Sequence, residues 1–359
     1  MTLDTDSIHV AVIGSGLAGA ACAAGLQRAG VQVSVFEKSR NVGGRMATRR
    51  AGWVDASGAE RAVTFDHGAQ CFVPVRPRFK AVTARAMAAG CVSAWRPGVY
   101  SARPVEARQC FVPTPTAPAL CSHLLAGATV HLSRSVQRLQ RAADGGWYVA
   151  TDGAPLAGPF HHVALAIPPA QVAVLLAGHH DVWADALLTR RMEPCWTLMA
   201  VTDDVDWPWD GAEPDRGPLA WVLRNDRVPG RSVLPGLAVW TAHATAAWSA
   251  AHLEDEPQAV SDQLKTALRA QLPSAGNGKR PIHFHHASVH RWRYAGPTAD
   301  CVDNDECLWD ESLGLGVCGD FLAGGGVEAA WHSGDELADF MAASFERTEA
   351  ETQLASVMR

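Results

Sequence analysis

A glycine-rich turn near the N-terminus constrains this chain more than any other feature. His9-Val-Ala-Val-Ile13 is a short β-rich run suited to a strand buried on both faces. Gly14-Ser-Gly-Leu-Ala-Gly19 follows, and Ala20 to Ala29 is an alanine-rich helical stretch closed by Gly30. Val31-Gln-Val-Ser-Val-Phe-Glu37 reads as the next strand. Strand, turn, helix and strand make a βαβ unit with parallel strands and a right-handed crossover. In Gly14-x-Gly16-x-x-Gly19 the first glycine permits the tight turn. The second lets backbone approach a pyrophosphate, and the third lets helix pack on strand. The helix N-terminus offers a diphosphate its free N–H groups and its dipole. Glu37 ends the second strand, where a carboxylate accepts the ribose hydroxyls of an adenosine. A glycine turn with an unrelated acid is the bland alternative; strand, helix and acid in their right places favour a dinucleotide.

The rest of the composition narrows the class. The chain has 359 residues, too many for one small core, so one large or two ordinary domains are expected. Hydrophobic residues make up 48% and charged residues 19%, which excludes disordered and collagen-like chains. A net charge of −6, with both signs mixed, leaves no basic footprint for nucleic acid. The nine cysteines are odd in number and irregularly spaced, with no C-x-x-C, and read as reduced thiols of a cytoplasmic protein. His9 to Leu26 is the only candidate signal or membrane segment. Asp4 and Asp6 precede it where a basic region would be needed, and it is rich in glycine. No membrane association is expected.

Further along, Thr129–Leu132, Val136–Leu139, Trp147–Ala150 and His162–Ile167 read as strands, with Asp144-Gly-Gly146 and Asp152-Gly153 as turns. Leu315-Gly-Val-Cys318 is a late strand that runs into Gly319-Asp320, a glycine-rich turn and a helix from Val327 to Phe345. The expected fold is α/β: a discontinuous Rossmann-type domain (1–72, 128–170 and 286–345) with an inserted α+β substrate domain (73–127 and 171–285) carrying a mixed or antiparallel sheet. Residues 346–359 are left as a C-terminal tail. Trp221-Val-Leu-Arg-Asn225 and Val239-Trp-Thr-Ala-His243 read as paired strands of the insertion. The cluster His283-x-His285-His286 with His290 invites a metal, but 283 and 285 share a strand face that 286 leaves, and no acid or thiol has ligand spacing. No metal is expected.

After Glu37 comes Asn41-Val-Gly-Gly-Arg45-Met-Ala-Thr-Arg49-Arg50, whose Gly-Gly-Arg can fold back over a diphosphate and add donors and a cation. Phe65-Asp-His-Gly-Ala-Gln70 is a polar turn able to reach a flavin edge. Here the sequence resembles a family. Glu37-Lys-Ser-Arg-Asn-Val-Gly-Gly-Arg45 looks like the second FAD signature of amine-oxidase-like flavoproteins. Phe65–Gln70, Glu193-Pro-Cys-Trp196, Trp248-Ser-Ala-Ala-His-Leu253, His290-Arg-Trp-Arg-Tyr-Ala295 and Gly319-Asp-Phe…Val327-Glu-Ala-Ala-Trp-His-Ser-Gly334 are similar to the bacterial renalase branch. The matches run from residue 10 to 340, and their order is more telling than any one of them.

The resemblance implies non-covalent FAD. Gly14, Ser15, Gly16 and Gly19 would take the diphosphate, and Glu37 the adenosine ribose. Gly44 and Arg45 would lie on the diphosphate side. Val136 would meet adenine through its backbone, and Gly319 and Asp320 the ribityl chain. The helix from Val327 would aim its dipole at the pyrimidine end of the flavin. Lys38, Met46, Gln70 and Glu328 complete the cofactor set. Asn225 and His243 would orient the substrate, in a pocket shared with Gln70, Trp221 and Trp292. Two departures touch this pocket: Cys71 stands where the family usually has tyrosine, and Val112-Pro-Thr-Pro115 where it has Gly-x-Pro-Gly-Met.

The activity so implied is an FAD-dependent oxidase that takes hydride from 2- or 6-dihydro isomers of NAD(P)H to flavin N5. It would give NAD(P)+ and, with O2, hydrogen peroxide. The small-molecule dihydropyridine and O2 are the expected partners. The alternatives are an FAD-dependent amine oxidase and a non-catalytic FAD-binding protein. Many amine oxidases hold a lysine, through water, near flavin N5. Only four lysines exist here, with Lys265 in a helical run and Lys279 in a turn, which counts against the first alternative.

Overall fold

The computed structural model describes residues 8–101, 109–272, 282–299 and 305–357. Lys279, Cys301 and part of the expected C-terminal tail lie outside these residues. The chain divides into two compact units. One holds residues 1–44, 120–191 and 296–359, and the other 45–119 and 192–295.

The first unit is built on a six-stranded sheet. Its order is Cys307–Asp310, Leu315–Cys318, His162–Leu165, His9–Ile13, Gln32–Phe36, Thr129–His131. All neighbours run parallel except the first pair. The central strands are valine- and alanine-rich and buried, as a sheet covered on both faces requires. Helix Leu17–Arg28 returns the chain from the first strand to the second. A three-stranded antiparallel sheet (Val136–Arg141, Trp147–Thr151, Ala157–Phe160) follows. The strand expected at 129–132 joins the large sheet as its edge. The long helix Val327–Val357 runs well past Phe345, so the described part of the expected tail continues it. It packs along helix Leu17–Arg28, with Asp335 accepting from Arg28 at 2.9 Å.

The second unit carries a six-stranded sheet of mixed direction. Its order is Phe284–Pro297, Met192–Asp203, Leu237–Ala244, Leu219–Arg224, Gly211–Glu213, Val99–Ser101. Helix Pro257–Gln271 is amphipathic and covers one face through Val260, Leu264 and Leu268, beside Trp196 and Trp240. The hairpin Thr48–Val54/Glu60–Asp66 supplies Val63 and Phe65 to a core with Met199, Val201 and Val239.

The unit boundaries differ from those expected. Residues 45–72 group with the second unit because that hairpin buries its apolar face there. Residues 171–191 group with the first. Helices Pro169–Leu176 and Asp181–Leu188 place Val172, Leu175, Leu176 and Leu187 in its core. Residues 286–295 stay in the second unit as part of its edge strand. No described helix is long and apolar enough to cross a membrane.

Candidate functional site

In the first unit, four parallel strands end in register. Ile13 lies opposite Phe36 and Leu165, and Leu165 opposite Val317. The residues that follow them, Gly14, Glu37, Ala166 and the Cys318-Gly319 step, are thus brought to one sheet edge, the carboxyl end where open α/β sheets take their ligands. Gly14 has φ +105°, and a Cβ there would lie 2.5 Å from the Ala166 carbonyl oxygen, so no other residue fits this turn. A Cβ at Gly19 would strike the Gly14 carbonyl. Gly16 caps helix Leu17–Arg28 without a side-chain cap, and its first turn holds no acid. Its leading N–H groups are therefore free of side-chain acceptors, the arrangement that receives an anion.

Around this turn the second glycine pair closes in. Gly43 forms a parallel bridge with Gly16, and its N–H donates to the Ser15 carbonyl at 3.0 Å. Glu37 is 6% exposed. Its Oε2 accepts from the Ser15 N–H at 3.0 Å and the Ser15 hydroxyl at 2.7 Å, and its Oε1 from the Ser39 N–H at 2.8 Å. Three donors on one carboxylate leave acceptor capacity for a further hydroxyl. The Glu37 carbonyl accepts from the Arg134 N–H at 2.8 Å, which ties the segment leading into Val136 to the acid. Val136 itself opens the antiparallel sheet, and Lys38 is exposed.

At the far strand, the Gly319 N–H donates to the Ser333 hydroxyl at 2.8 Å. Asp320 is buried, and its carbonyl accepts from the N–H groups of Ala323 and Gly325. Gly324, Gly325 and Gly326 take φ values of +84°, +89° and +91° in succession, a run only glycine sustains. The chain then enters the helix at Val327, with Glu328 in its first turn. An open helix start at Leu17, a second helix start at Val327, a buried carboxylate and a glycine cradle therefore belong to one unit. They fit an elongated dinucleotide.

Arg45, Met46 and Gln70 fall in the second unit, beyond the break at residue 44. The Arg45 Nη1 donates to the Ala295 carbonyl at 2.9 Å, and Met46 is buried. Ala69 donates to the Arg45 carbonyl at 2.9 Å, which anchors the Phe65–Gln70 turn.

That turn organises a polar and aromatic cluster. Gln70 is buried; its Nε2 donates to the Asp66 carbonyl at 3.0 Å, and its Oε1 accepts from Trp221 Nε1 at 2.7 Å. On the sheet, Trp221 lies opposite His243, and His243 opposite Thr197. The His67 carbonyl is the hub. It accepts from Thr197 Oγ1 at 3.1 Å and from Trp292 Nε1 at 2.9 Å, and it lies near enough to the His243 ring to favour that ring's protonated form. The His67 ring stacks on Trp292 with centroids 5.1 Å apart and meets His290 edge-on at 4.8 Å.

Sequence reasoning left His67 without a role, although the Phe65–Gln70 motif contains it; its place between Gln70 and Trp292 appears only in three dimensions. Burial, with the His290 and Arg49 charges, holds the His67 imidazole down at about 4, and burial holds His243 at about 4. Burial and Arg49 also lower His286 and His290. All four rings are thus held toward the neutral form at neutral pH. His67 Nδ1 and His243 Nε2 are buried without hydrogen-bond partners. Each neutral ring carries one N–H and one bare nitrogen, so each unpartnered position calls for an acceptor or a donor according to the tautomer.

Asn225 does not share this task. It sits beyond the strand, in the helical turn Asn225–Arg227, 1% exposed. Its oxygen accepts from the Asp66 N–H at 3.0 Å and its amide donates to the Thr64 carbonyl at 3.0 Å. Both ends of the side chain brace the hairpin, so the expected substrate-orienting role gives way to a structural one. Asp66 next to it is spent on Arg231 Nε, at 2.6 Å, and on the Thr48 hydroxyl, also at 2.6 Å. His285 meets Asp203 at 2.8 Å, and His286 lies against Trp53 and Phe65. Among the described residues no group of three or more His, Cys, Asp and Glu is arranged to hold a metal.

Comparison with known proteins agrees with this geometry. Residues 12–86 match the model of an NAD(P)-binding Rossmann-like domain. An oxidoreductase from Methanosarcina mazei is similar in structure, with TM-score 0.67 at 13% identity, over 92% of this chain and 100% of that one. Cyclohexylamine oxidase from Brevibacterium oxydans gives TM-score 0.66 at 12% identity, over 94% and 99%. A reduced UDP-galactopyranose mutase gives 0.65 at 10%, over 95% and 99%. At such identities the likeness establishes a shared fold, and a fold common to oxidases and a mutase does not fix the reaction.

Proposed function

We propose that this chain is an FAD-dependent oxidoreductase of the renalase type, oxidising 2- or 6-dihydro isomers of NAD(P)H to NAD(P)+, with O2 reduced to hydrogen peroxide. The first unit would hold FAD non-covalently. The helix starts at Leu17 and Val327 would face its charged groups, Glu37 its ribose, and the Gly319–Asp320 segment its ribityl chain. FAD would supply the hydride acceptor. Amine oxidation is the rival, since a cyclohexylamine oxidase shares the fold.

The observation that carries the dihydropyridine reading is the character of the His67 cluster. Two buried rings held neutral present unpartnered nitrogens, flat tryptophan surfaces border them, and Arg49 is the charged side chain bearing on His67, His286 and His290. A carboxamide offers N–H donors without charge. An ammonium ion would meet the Arg49 field, with Asp66 already neutralised by Arg231. Among the described residues no lysine stands on a strand of the second unit; Lys80 and Lys265 are on helices. No strong base is required, because hydride leaves carbon without a separate proton step, so the protein's work is binding and orientation.

The test is anaerobic stopped-flow bleaching of the FAD-loaded protein by a panel of reductants. The 2- and 6-dihydro isomers should bleach it fastest, and ordinary NADH and primary amines slowly or not at all. Faster bleaching by an amine than by any dihydropyridine would overturn the reading in favour of the rival.

A further inference from the structure

Cys71 occupies a position where the resemblance leads one to expect tyrosine, and it has a thiol neighbour. Phe72 and Phe111 exchange both backbone hydrogen bonds, at 2.9 and 2.8 Å, as an antiparallel bridge. Residues flanking such a pair turn their side chains together to the other face. Cys71 and Cys110 therefore share one face, set diagonally across the bridge. The two thiols are near enough to bear on one another's ionisation. Cys110 is 5% exposed, whereas Cys71 is partly open. Cys71 and Trp221 pack against the same small core of Val112, Leu223 and Val228. Cys71 also follows Gln70 directly, and Gln70 accepts the Trp221 indole N–H.

We propose that Cys71 and Cys110 form a peroxide-oxidisable dithiol that closes to a reversible disulfide beside the Gln70–Trp221 pair. The Cys71 thiolate attacks one oxygen of hydrogen peroxide; the O–O bond breaks, and the leaving hydroxide takes a proton to become water. Cys71 is then a sulfenic acid. Cys110 gives up its proton and attacks the Cys71 sulfur; the S–O bond breaks and a second water leaves. Two thiols lose two electrons and one peroxide becomes two waters.

The division of roles follows from the site. The neighbouring Cys110 thiol holds Cys71 down, while that same contact and burial push the Cys110 thiol up. Cys71 is thus the attacking sulfur and the more accessible one, and Cys110 resolves it. Closing the bond draws on the segment that carries Gln70 and so perturbs the Trp221 indole. Cys22 and Cys318 provide an internal contrast in the first unit. They too are neighbouring thiols, but both are fully buried, so peroxide should leave them reduced in the folded protein.

The inference is independent of the cofactor and is tested on the full-length folded protein. Hydrogen peroxide is added, then removed with catalase; free thiols are blocked with N-ethylmaleimide and the protein is digested with trypsin without reduction. The expected product is peptide 62–78 linked to peptide 109–134, lighter than the pair by two hydrogens, and abolished by dithiothreitol. Peptide 109–134 also contains Cys121, so Cys110→Ser is the deciding variant. There the link should vanish, and Cys71 should be trapped as a sulfenic acid by dimedone. In the parent, oxidation should change tryptophan emission reversibly; in Cys71→Ser it should not. Maleimide on both Cys71 and Cys110 after peroxide, or a link that survives Cys110→Ser, would overturn the proposal. If Cys110→Ser does not fold, fragmentation of the linked parent peptide decides between Cys110 and Cys121.

Discussion

Replacing Glu37 by glutamine separates two roles that one carboxylate combines. In the protein without ligand, one oxygen takes both Ser15 donors and the other takes the Ser39 N–H. Glutamine can keep an oxygen on Ser15, but it then presents an amide NH2 to the Ser39 N–H, donor against donor. An unsatisfied donor of this kind costs about 1–3 kcal/mol, and the partly solvated Ser39 side points to the lower end. The second role is the ribose. A charge-assisted hydrogen bond is worth about 1.5–3 kcal/mol, so each ribose bond lost should weaken FAD binding roughly tenfold to a hundredfold. Urea unfolding of the FAD-free protein, followed by tryptophan emission, reads the first role. FAD titration by quenching of its fluorescence reads the second. Lower stability with unchanged FAD affinity would make Glu37 a strut of the glycine turn and refute its ribose role. No change in either measurement would refute the reasoning altogether.

Other consequences follow from buried charge. His67, His243 and His162 are held at about 4, well below their ordinary 6.5. The unfolded chain therefore binds more protons than the folded one between those values. Stability should fall as pH drops from about 6.5 to 4, by up to about 3 kcal/mol for each ring, and a urea midpoint flat over that window would contradict this. Arg231→Met should destabilise the second unit by about 3–5 kcal/mol in urea, because it strands the Asp66 carboxylate, 1% exposed, without its cation. An unchanged unfolding curve would show that Asp66 is relieved in another way. His243→Ala should slow flavin bleaching and leave FAD affinity intact; bleaching at the parent rate would remove His243 from the substrate site.

The first unit was legible because its signals are local. Gly14, Gly16, Gly19 and Glu37 lie within one βαβ stretch, and each has a steric or hydrogen-bonding duty that spacing alone exposes. The late strand Leu315–Cys318 and the glycines after it were readable for the same reason. The second unit was harder. His243 could be placed because its strand alternates, but Asn225 could not be judged without its partners. An amide facing solvent and one clamped between Asp66 and Thr64 look alike in sequence. The hairpin at 48–66 carries no reading in sequence beyond the Asn41–Arg50 and Phe65–Gln70 segments at its ends, although Asp55-Ala-Ser-Gly58 is a fair turn; its partners Met199 and Val239 lie more than a hundred residues away. His67 became a hub only through Thr197, His243 and Trp292, which arrive from three separate strands. The thiol pair was likewise hidden, because only the Phe72–Phe111 bridge brings the two cysteines together.

The central claim is that the glycine turn, Glu37 and the Gly319–Val327 segment hold FAD. The most direct measurement is the identity of the small molecule bound to purified protein. The protein is denatured in the dark, and the released material is identified by chromatography and mass spectrometry, with FAD offered beforehand to any protein purified without it. The account predicts intact FAD, one per chain, released without proteolysis. A protein that takes up no flavin and binds NAD tightly would contradict it.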